Sequence, residues 1–377
     1  MPFAKRGRAI VIGQNRPMSN AAWPRWIERL PPPADGSRRA EGGRRLEGRA
    51  AGAGDGRGRD LLVSYVTVVR NGAATLERTL ASVRAQRGAA VEHLVVDGLS
   101  ADGTLDIIRR HDDSIDYFVS EPDRGLYDAL NKAIPLASGE LICVLNADDW
   151  LTPDAARLAA QAHRRAGIGA ARLITSAAWA ERPEGRTLWL PAPMDAGSWL
   201  RCADVCHNGV YASPAAYEAS GPYATHLRIA ADFRWLMACV DAGVEIVAVD
   251  EPTVHYRLGG MSGDTRRHTE ECVQVLRERF SFLTDDEAWG LVHAFHVLRP
   301  QLEPFMARRP EHLGRFVGQT LRRHLDQPDF VRALALAGLG TLQHPEEATA
   351  PRRLSRREKW RRSLLKRWMT LRRMVRR

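Results

Sequence analysis

Asn146, Ala147, Asp148 and Asp149 follow directly on the apolar run Leu141-Ile142-Cys143-Val144-Leu145. Placing two carboxylates at the mouth of a buried segment is costly unless the charge is paired or meets a cation. Mg²⁺ and Mn²⁺ take oxygen ligands, commonly one or two carboxylates together with substrate phosphates. The cluster therefore suits a divalent metal. Another acid, Asp97, closes a second apolar run and leads through Gly98 and Leu99 into Ser100-Ala101-Asp102-Gly103-Thr104. Glycines there permit close backbone approach, and acids there can contact a ribose or a base. An Asp-Gly pair can equally make a plain turn.

The surrounding sequence must position these groups. "LLVSYVTVVRN" reads as a strand ending at Asn71, and Leu76, Leu80 and Val83 then recur with helical spacing. "VEHLVVDG" is a second strand, "TLDIIRRH" a second helix and "IDYFVSE" a third strand. "GLYDALNKAI" is a third helix with Leu126, Leu130 and Ile134 on one face, and "ELICVLN" is a fourth strand. This alternation predicts an α/β fold with a mostly parallel central sheet and flanking helices. Ligands of such sheets bind beyond the carboxyl ends of the strands, where Asn71, Asp97 and the Asn146–Asp149 cluster fall. After Pro153 an Ala-rich helix is expected, then shorter strands in "ARLITSAAW" and "RTLWLPAP", and a helical region over 266–345.

Composition bounds the rest. The 377 residues carry a net charge of +10, but unevenly: residues 1–59 hold +8 and residues 352–377 hold +12, leaving −10 for the body between them. The balance suggests an acidic globular body with two basic ends. Residues 1–59 are rich in Gly, Arg and Pro without apolar periodicity, and are expected to be a disordered basic extension. No apolar stretch approaches the roughly 20 residues a membrane-spanning helix needs, and none reads as a secretory leader. The five scattered cysteines favour reduced thiols and a cytoplasmic protein. Cys202, Cys206 and His207 have no second ligand pair at zinc-site spacing.

The stretches "VSYVTVVRNGAATLERTLASVRAQ", "EHLVVDGLSADGTLDII", "SEPDRGLYDALNKAI" and "GELICVLNADDW" resemble, in order and spacing, the nucleotide-binding half of family 2 glycosyltransferases. These enzymes have the GT-A (nucleotide-diphospho-sugar transferase) fold. The Ser120–Lys132 segment in particular is similar to a branch acting in colanic-acid and other surface-polysaccharide assembly. The resemblance spans roughly residues 64–263. It implies a nucleotide-binding half at 60–150 and an acceptor half at 151–265, followed by a helical extension at 266–350.

Roles follow from the resemblance. Thr67 and Asn71 would border the nucleotide base, and Asp97 would hold the base or ribose. Asp123, Arg124 and Gly125 would lie near the diphosphate. Asn146 would contact ribose or metal, and Asp148, with Asp149 beside it, would hold a divalent Mn²⁺ or Mg²⁺. Leu99 departs from the more usual glycine, and Asn146 from the more usual aspartate. "LRIAADFRWLMACV" resembles the segment that carries the general base, here Asp232, on a helix with Leu236 and Val240 on its core side. The chemistry needs such a group, because a sugar hydroxyl is a poor nucleophile at neutral pH and a carboxylate can take its proton. An acid at a helix N-terminus is also favoured by the dipole alone. "CHNGVYAS" implies a sugar or acceptor pocket lined by His207 and Asn208. "YRLGGMSGD" resembles a loop closing over the diphosphate, with His255, Arg257 and Ser262 as candidates.

The expected activity is inverting transfer of a sugar from a nucleotide-diphosphate sugar to a hydroxyl of a glycan or lipid-linked acceptor. Residues 351–377 place Trp360, Leu364, Trp368, Leu371 and Val375 at helical spacing among Arg and Lys. Such a basic amphipathic helix suits an anionic membrane surface, here the inner face of the plasma membrane, better than nucleic acid. Two other readings compete. A sugar-1-phosphate nucleotidyltransferase would carry a glycine cluster after the first strand, where "VVRNGAATLERTL" stands. A non-catalytic basic binding protein would leave Asp97, Asp148 and Asp232 without a purpose.

Overall fold

The computed structural model describes residues 26–49, 61–167, 170–202, 205–260, 263–296 and 313–343. The basic segment 352–377 and Ser262 lie outside the described residues.

The expected β/α alternation is present. It comprises β2 (Leu62–Val69), α1 (Leu76–Arg84), β3 (Ala90–Asp97), α2 (Thr104–Arg110), β4 (Tyr117–Ser120), α3 (Leu126–Ala133) and β5 (Leu141–Val144). These four strands pair in parallel in the order β4-β3-β2-β5. They are buried on both faces, as strands covered by helices on each side must be, which is why they read as near-continuous apolar runs. Their polar residues are matched across the sheet. The Ser64 hydroxyl donates to Glu92 at 2.5 Å, and Thr67 Oγ1 meets His93 Nε2 at 3.0 Å. Burial holds the His93 imidazole down at about 3.

Beyond β5 the sheet becomes mixed. It continues through β9 (Val210–Ala212), β7 (Arg172–Arg182), β10 (Glu245–Arg257) and β6 (Trp150–Leu151), and β8 (Gly185–Trp189) pairs with β7. β7 and β10 are parallel to each other, whereas β9 is antiparallel to both of its neighbours. One sheet therefore spans both expected halves. Helices α4 (Ala155–Ala166), α5 (Ser198–Arg201), α6 (Pro214–Ser220) and α7 (Ala231–Asp241) pack around it.

The region expected to be a helical extension begins with α8 (Thr265–Arg279) and α9 (Asp285–Phe295), and continues in helices Leu313–Arg323 and Pro328–Gln343. It shares the main core rather than forming one of its own. Cys272, Leu276, Phe280, Leu291 and Phe330 join the cluster that contains Trp199 and Trp235 of the body and Val66 and Leu94 of the sheet.

The expectation of disorder over 1–59 fails for residues 26–49. They form a strap along the outer edge of the sheet, with the short strand β1 (Ala40–Gly42) antiparallel to β4. Leu30 is buried in the main core. The strap's arginines pair with carboxylates buried in the sheet edge. Arg45 pairs with Glu92 at 2.5 Å, Arg44 with Asp116 at 2.7 Å and Arg38 with Glu121 at 2.7 Å. The Tyr117 hydroxyl donates to Glu41, whose carboxyl is held down at about 2 by Arg29 first, then by Tyr117 and Arg38.

Candidate active site

The carboxyl ends of β2, β3, β4 and β5 lie along one edge, and the loops that follow them are stitched together by hydrogen bonds. Asn71 sits in the left-handed region at φ 54°. Its amide N–H donates to Ser100 Oγ at 2.7 Å, and its side-chain oxygen accepts from the Ala101 N–H at 2.9 Å. Asp102 accepts from the N–H groups of Ala73 and Thr104, both at 3.1 Å. The loop after β3 thus holds the loop after β2, so Asp102 is occupied in structure. Leu99 adopts φ 55°, a conformation that costs an L side chain about 1 kcal/mol or more and explains why a glycine is the commoner choice there.

Two residues expected at the nucleotide lie inside the protein. Thr67 is fully buried against His93 within β2. Asp97 is also fully buried, its carboxylate taking the Ser120 hydroxyl at 2.6 Å and the Ser100 N–H at 3.2 Å. The groups facing outward at this end belong to the neighbouring loops. Asp123 lies over Gly98 so closely that any Cβ there would collide with its carboxylate. Burial raises the Asp123 carboxyl, opposed by the Gly125 N–H and by Arg70. Arg124 is exposed and pairs with Asp128 at 2.6 Å.

The paired acids diverge. Asp149 points inward: its carboxylate accepts from Asn208 Nδ2 at 2.5 Å and from the Arg257 N–H at 2.6 Å. Burial, then the neighbouring Asp148, raises its carboxyl well above the usual range. With both oxygens accepting hydrogen bonds inside, Asp149 braces the loop. Asn208, expected to line a pocket, is buried too, and its side-chain oxygen also accepts the Asn146 N–H at 3.1 Å. Asp148 alone is half-buried at the surface, and among the described residues its carboxylate accepts no hydrogen bond. A Cβ at Gly260 would lie 3.1 Å from its Oδ2, so the loop after β10 closes over this carboxylate.

Helix α1 secures the acid loop from the other side, which its apolar spacing alone does not reveal. The buried Thr79 hydroxyl lies 3.0 Å from the Ala147 carbonyl and 2.7 Å from that of Asp149. Trp150 is sandwiched, with the Arg78 guanidinium 3.4 Å from its ring centroid and the His255 ring stacked at 4.8 Å and 5°. Arg78, Trp150, Arg182 and Arg257 line an open cavity of about 720 Å³ beside the acids.

Asp232 stands in the first turn of α7, as expected, with Leu236 and Val240 buried behind it. His207 is close enough for the Asp232 charge to raise its imidazole, although burial outweighs this and leaves it below its ordinary value. His207 Nε2 meets the Tyr223 hydroxyl at 2.9 Å. Tyr223 stacks on Tyr127, whose hydroxyl donates to the Ile229 carbonyl at 2.5 Å. The next residue, Asn208, is the one that braces the acid loop, through Asp149 and the Asn146 N–H.

The turn that presents Asp232 is held by a residue with no evident motif in the sequence. The Glu271 carboxylate accepts the N–H groups of Arg228 at 3.0 Å, Ile229 at 2.7 Å and Ala230 at 2.9 Å. Burial pushes its carboxyl up, but these amides and Arg267 prevail and lower it overall. A depressed folded value contributes stability that is complete above the unfolded value, near 4.5, and lost as pH falls through the folded one. Glu271→Gln is expected to cost about 2 kcal/mol at neutral pH, the scale of hydrogen bonds to a charged group. In denaturant titrations this gap from wild type should close as the buffer is taken below the carboxylate range. A gap independent of pH would mean that the charge is not what holds the turn.

Residues 64–202 match the family model described as glycosyl transferase family 2. An uncharacterized glycosyltransferase of Mycobacterium tuberculosis is 41% identical over 102 residues, 26% of this chain and 39% of that protein. The chain thus spans well under half the length of that relative. A PGL/p-HBAD biosynthesis glycosyltransferase of Mycobacterium bovis is 27% identical over 188 residues, 47% of this chain and 69% of the other. Among solved structures, S. aureus TarS 1-349 in complex with UDP-GlcNAc superposes with a TM-score of 0.51 at 14% identity, over 74% of this chain and 83% of that one. The fold is of the GT-A type.

Proposed function

We propose that this chain, whose residues 64–202 form a family 2 glycosyltransferase domain, transfers a sugar from a nucleotide-diphosphate donor to a hydroxyl of a glycan or lipid-linked acceptor. The observation that carries this reading is the shared edge. Four parallel strands end together, and at their ends stand Asn71, Asp123 and Asp148, beside the β2–β5 pair where the strand order β4-β3-β2-β5 reverses. A crevice at such a reversal is where α/β sheets take their ligands.

The donor set fits a divalent cation with one protein carboxylate, Asp148, the remaining positions being left to substrate phosphates and water. When bound, such an ion offsets negative charge on a diphosphate leaving group. The protein's own part is separable. Asp149, Asn208 and Thr79 hold the loop that aims Asp148. The Asp123 loop and Gly98 shape the other end of the crevice. Asp232 takes the proton of the attacking hydroxyl as the new bond forms, and attack from the face opposite the leaving group inverts the anomeric centre. Work in surface-polysaccharide assembly, on the inner face of a membrane, extends the same reading. Among the described residues no helix is long and apolar enough to cross a membrane.

The test is calorimetric. UDP, GDP, dTDP and CMP are titrated with and without Mn²⁺ into wild type and Asp148→Ala. The expected result is manganese-dependent binding of one diphosphate, weakened at least about tenfold in the variant, the scale of one lost charge-assisted contact. Failure of well-folded protein to bind any of the four would overturn the reading.

A further inference from the structure

Away from the strand ends, three buried donor side chains of three separate segments meet in the core, with the half-buried His268 beside them. Cys202 follows α5, His268 and Cys272 lie one turn apart on α8, and His296 ends α9. Cys202, Cys272 and His296 are buried, and their ligand atoms all lie within 4.8 Å of one another. Cys272 Sγ stands 3.6 Å from His268 Nε2 and 3.9 Å from His296 Nε2.

These distances have a chemical meaning. A tetrahedral zinc site with Zn–S of about 2.3 Å and Zn–N of about 2.0–2.1 Å has S···N edges of about 3.6 Å. A single thiol–imidazole hydrogen bond would bring one ring nitrogen to the sulfur; here two imidazoles converge on Cys272 Sγ and a second thiol lies beside it. We propose that Cys202, Cys272 and His296 bind a thiolate-seeking divalent cation of the zinc(II) class, with His268, 3.6 Å from Cys272 Sγ, completing the set on binding. Two thiolates and two neutral imidazoles would match the charge of a dication, so the loaded site carries no net charge into the core.

Cys202 adopts φ 62°, a conformation costing a non-glycine residue about 1 kcal/mol or more, and its thiol faces α8 there. The zinc pattern first considered in the sequence, Cys202-Cys206-His207, is not assembled. Cys206 packs in a different cluster, beside Cys143 and Tyr211. The cluster is also distinct from the Asp148 crevice, although His268 shares the wall of a small cavity of about 50 Å³ with Asp232.

The experiment uses the full chain, purified under reducing conditions without chelator. Elemental analysis should find about one zinc per chain. Replacing it with cobalt(II) should give the visible bands of a tetrahedral ion and a thiolate-to-cobalt charge-transfer band. Cys272→Ser should lose both signals, and Cys239→Ala, which removes an equally buried thiol, should keep them. The wild-type measurements stand even if Cys272→Ser fails to fold. A wild-type protein that neither contains zinc nor binds zinc(II) or cobalt(II) when reduced would overturn the proposal. So would a Cys202–Cys272 disulfide found by non-reducing peptide mapping of freshly purified protein.

Discussion

Asp232→Asn should lower kcat about 1,000-fold while leaving donor binding and thermal stability close to wild type. General-base catalysis commonly contributes about 10²–10⁴-fold, and a thousandfold loss is about 4 kcal/mol of activation free energy. Asparagine keeps the shape of the side chain and still offers an oxygen to the Phe233 N–H, which Asp232 accepts at 2.7 Å. It removes only the ability to take a proton. The readout is release of nucleoside diphosphate, using the donor class named by calorimetry. If kcat moves less than about threefold, Asp232 is a helix-terminal acid favoured by the dipole, and another group takes the proton. If donor binding collapses as well, the substitution has disturbed the site beyond Asp232.

A chain started at residue 60 should not fold, whereas one started at residue 26 should. Composition suggests cutting at 59, but that cut removes the strap. Glu92 and Asp116 would each lose an arginine partner, and Glu121 would lose Arg38 while keeping Lys132. Stripping one partner from a buried ion pair costs about 3–5 kcal/mol. The arginines are themselves partly solvated and losing the strap admits water to the carboxylates, so that figure is an upper limit, but even half of it at the two sites left without a cation is a large part of the total stability of a domain, about 5–15 kcal/mol. Opening the β4 edge and uncovering Leu30 add to the loss. Soluble yield, near-ultraviolet circular dichroism and urea unfolding of both truncations are the measurements. A chain from residue 60 that unfolds cooperatively within about 2 kcal/mol of the full chain would show that the strap is dispensable.

The parallel half was legible because its strands are covered on both faces and so read as plain apolar runs. Helix α1 was legible from Leu76, Leu80 and Val83, all of which are buried. The strap was not, because a three-residue strand held by arginines has no periodicity, and its Gly- and Pro-rich composition imitates disorder. At the site, the strand-end acids could be found but not their directions. Asp148 and Asp149 are neighbours, and what turns one inward is Asn208, 59 residues away, and Arg257, 108 residues away. The burial of Asp97 and Thr67 was hidden for the same reason, since Ser120 and His93 reach them from neighbouring strands. The thiol–imidazole cluster lay further out of reach, as its members share no local motif and Cys272 and His296 stand 24 residues apart.

The pairing of β1 with β4 also sets an order of events in time. Ala40 lies opposite Ser120, so the strap leaves the ribosome well before the strand it covers exists. Closing so long a loop has a modest entropic cost, rising only as the logarithm of its length. It nevertheless makes this contact one of the slower ones, because it depends on a sheet that must already be assembled. Until then Glu92 and Asp116 wait for their counterions and the outer edge stands open to other chains. A nascent molecule is therefore most exposed to mispairing in the interval between synthesis of β4 and arrival of the strap.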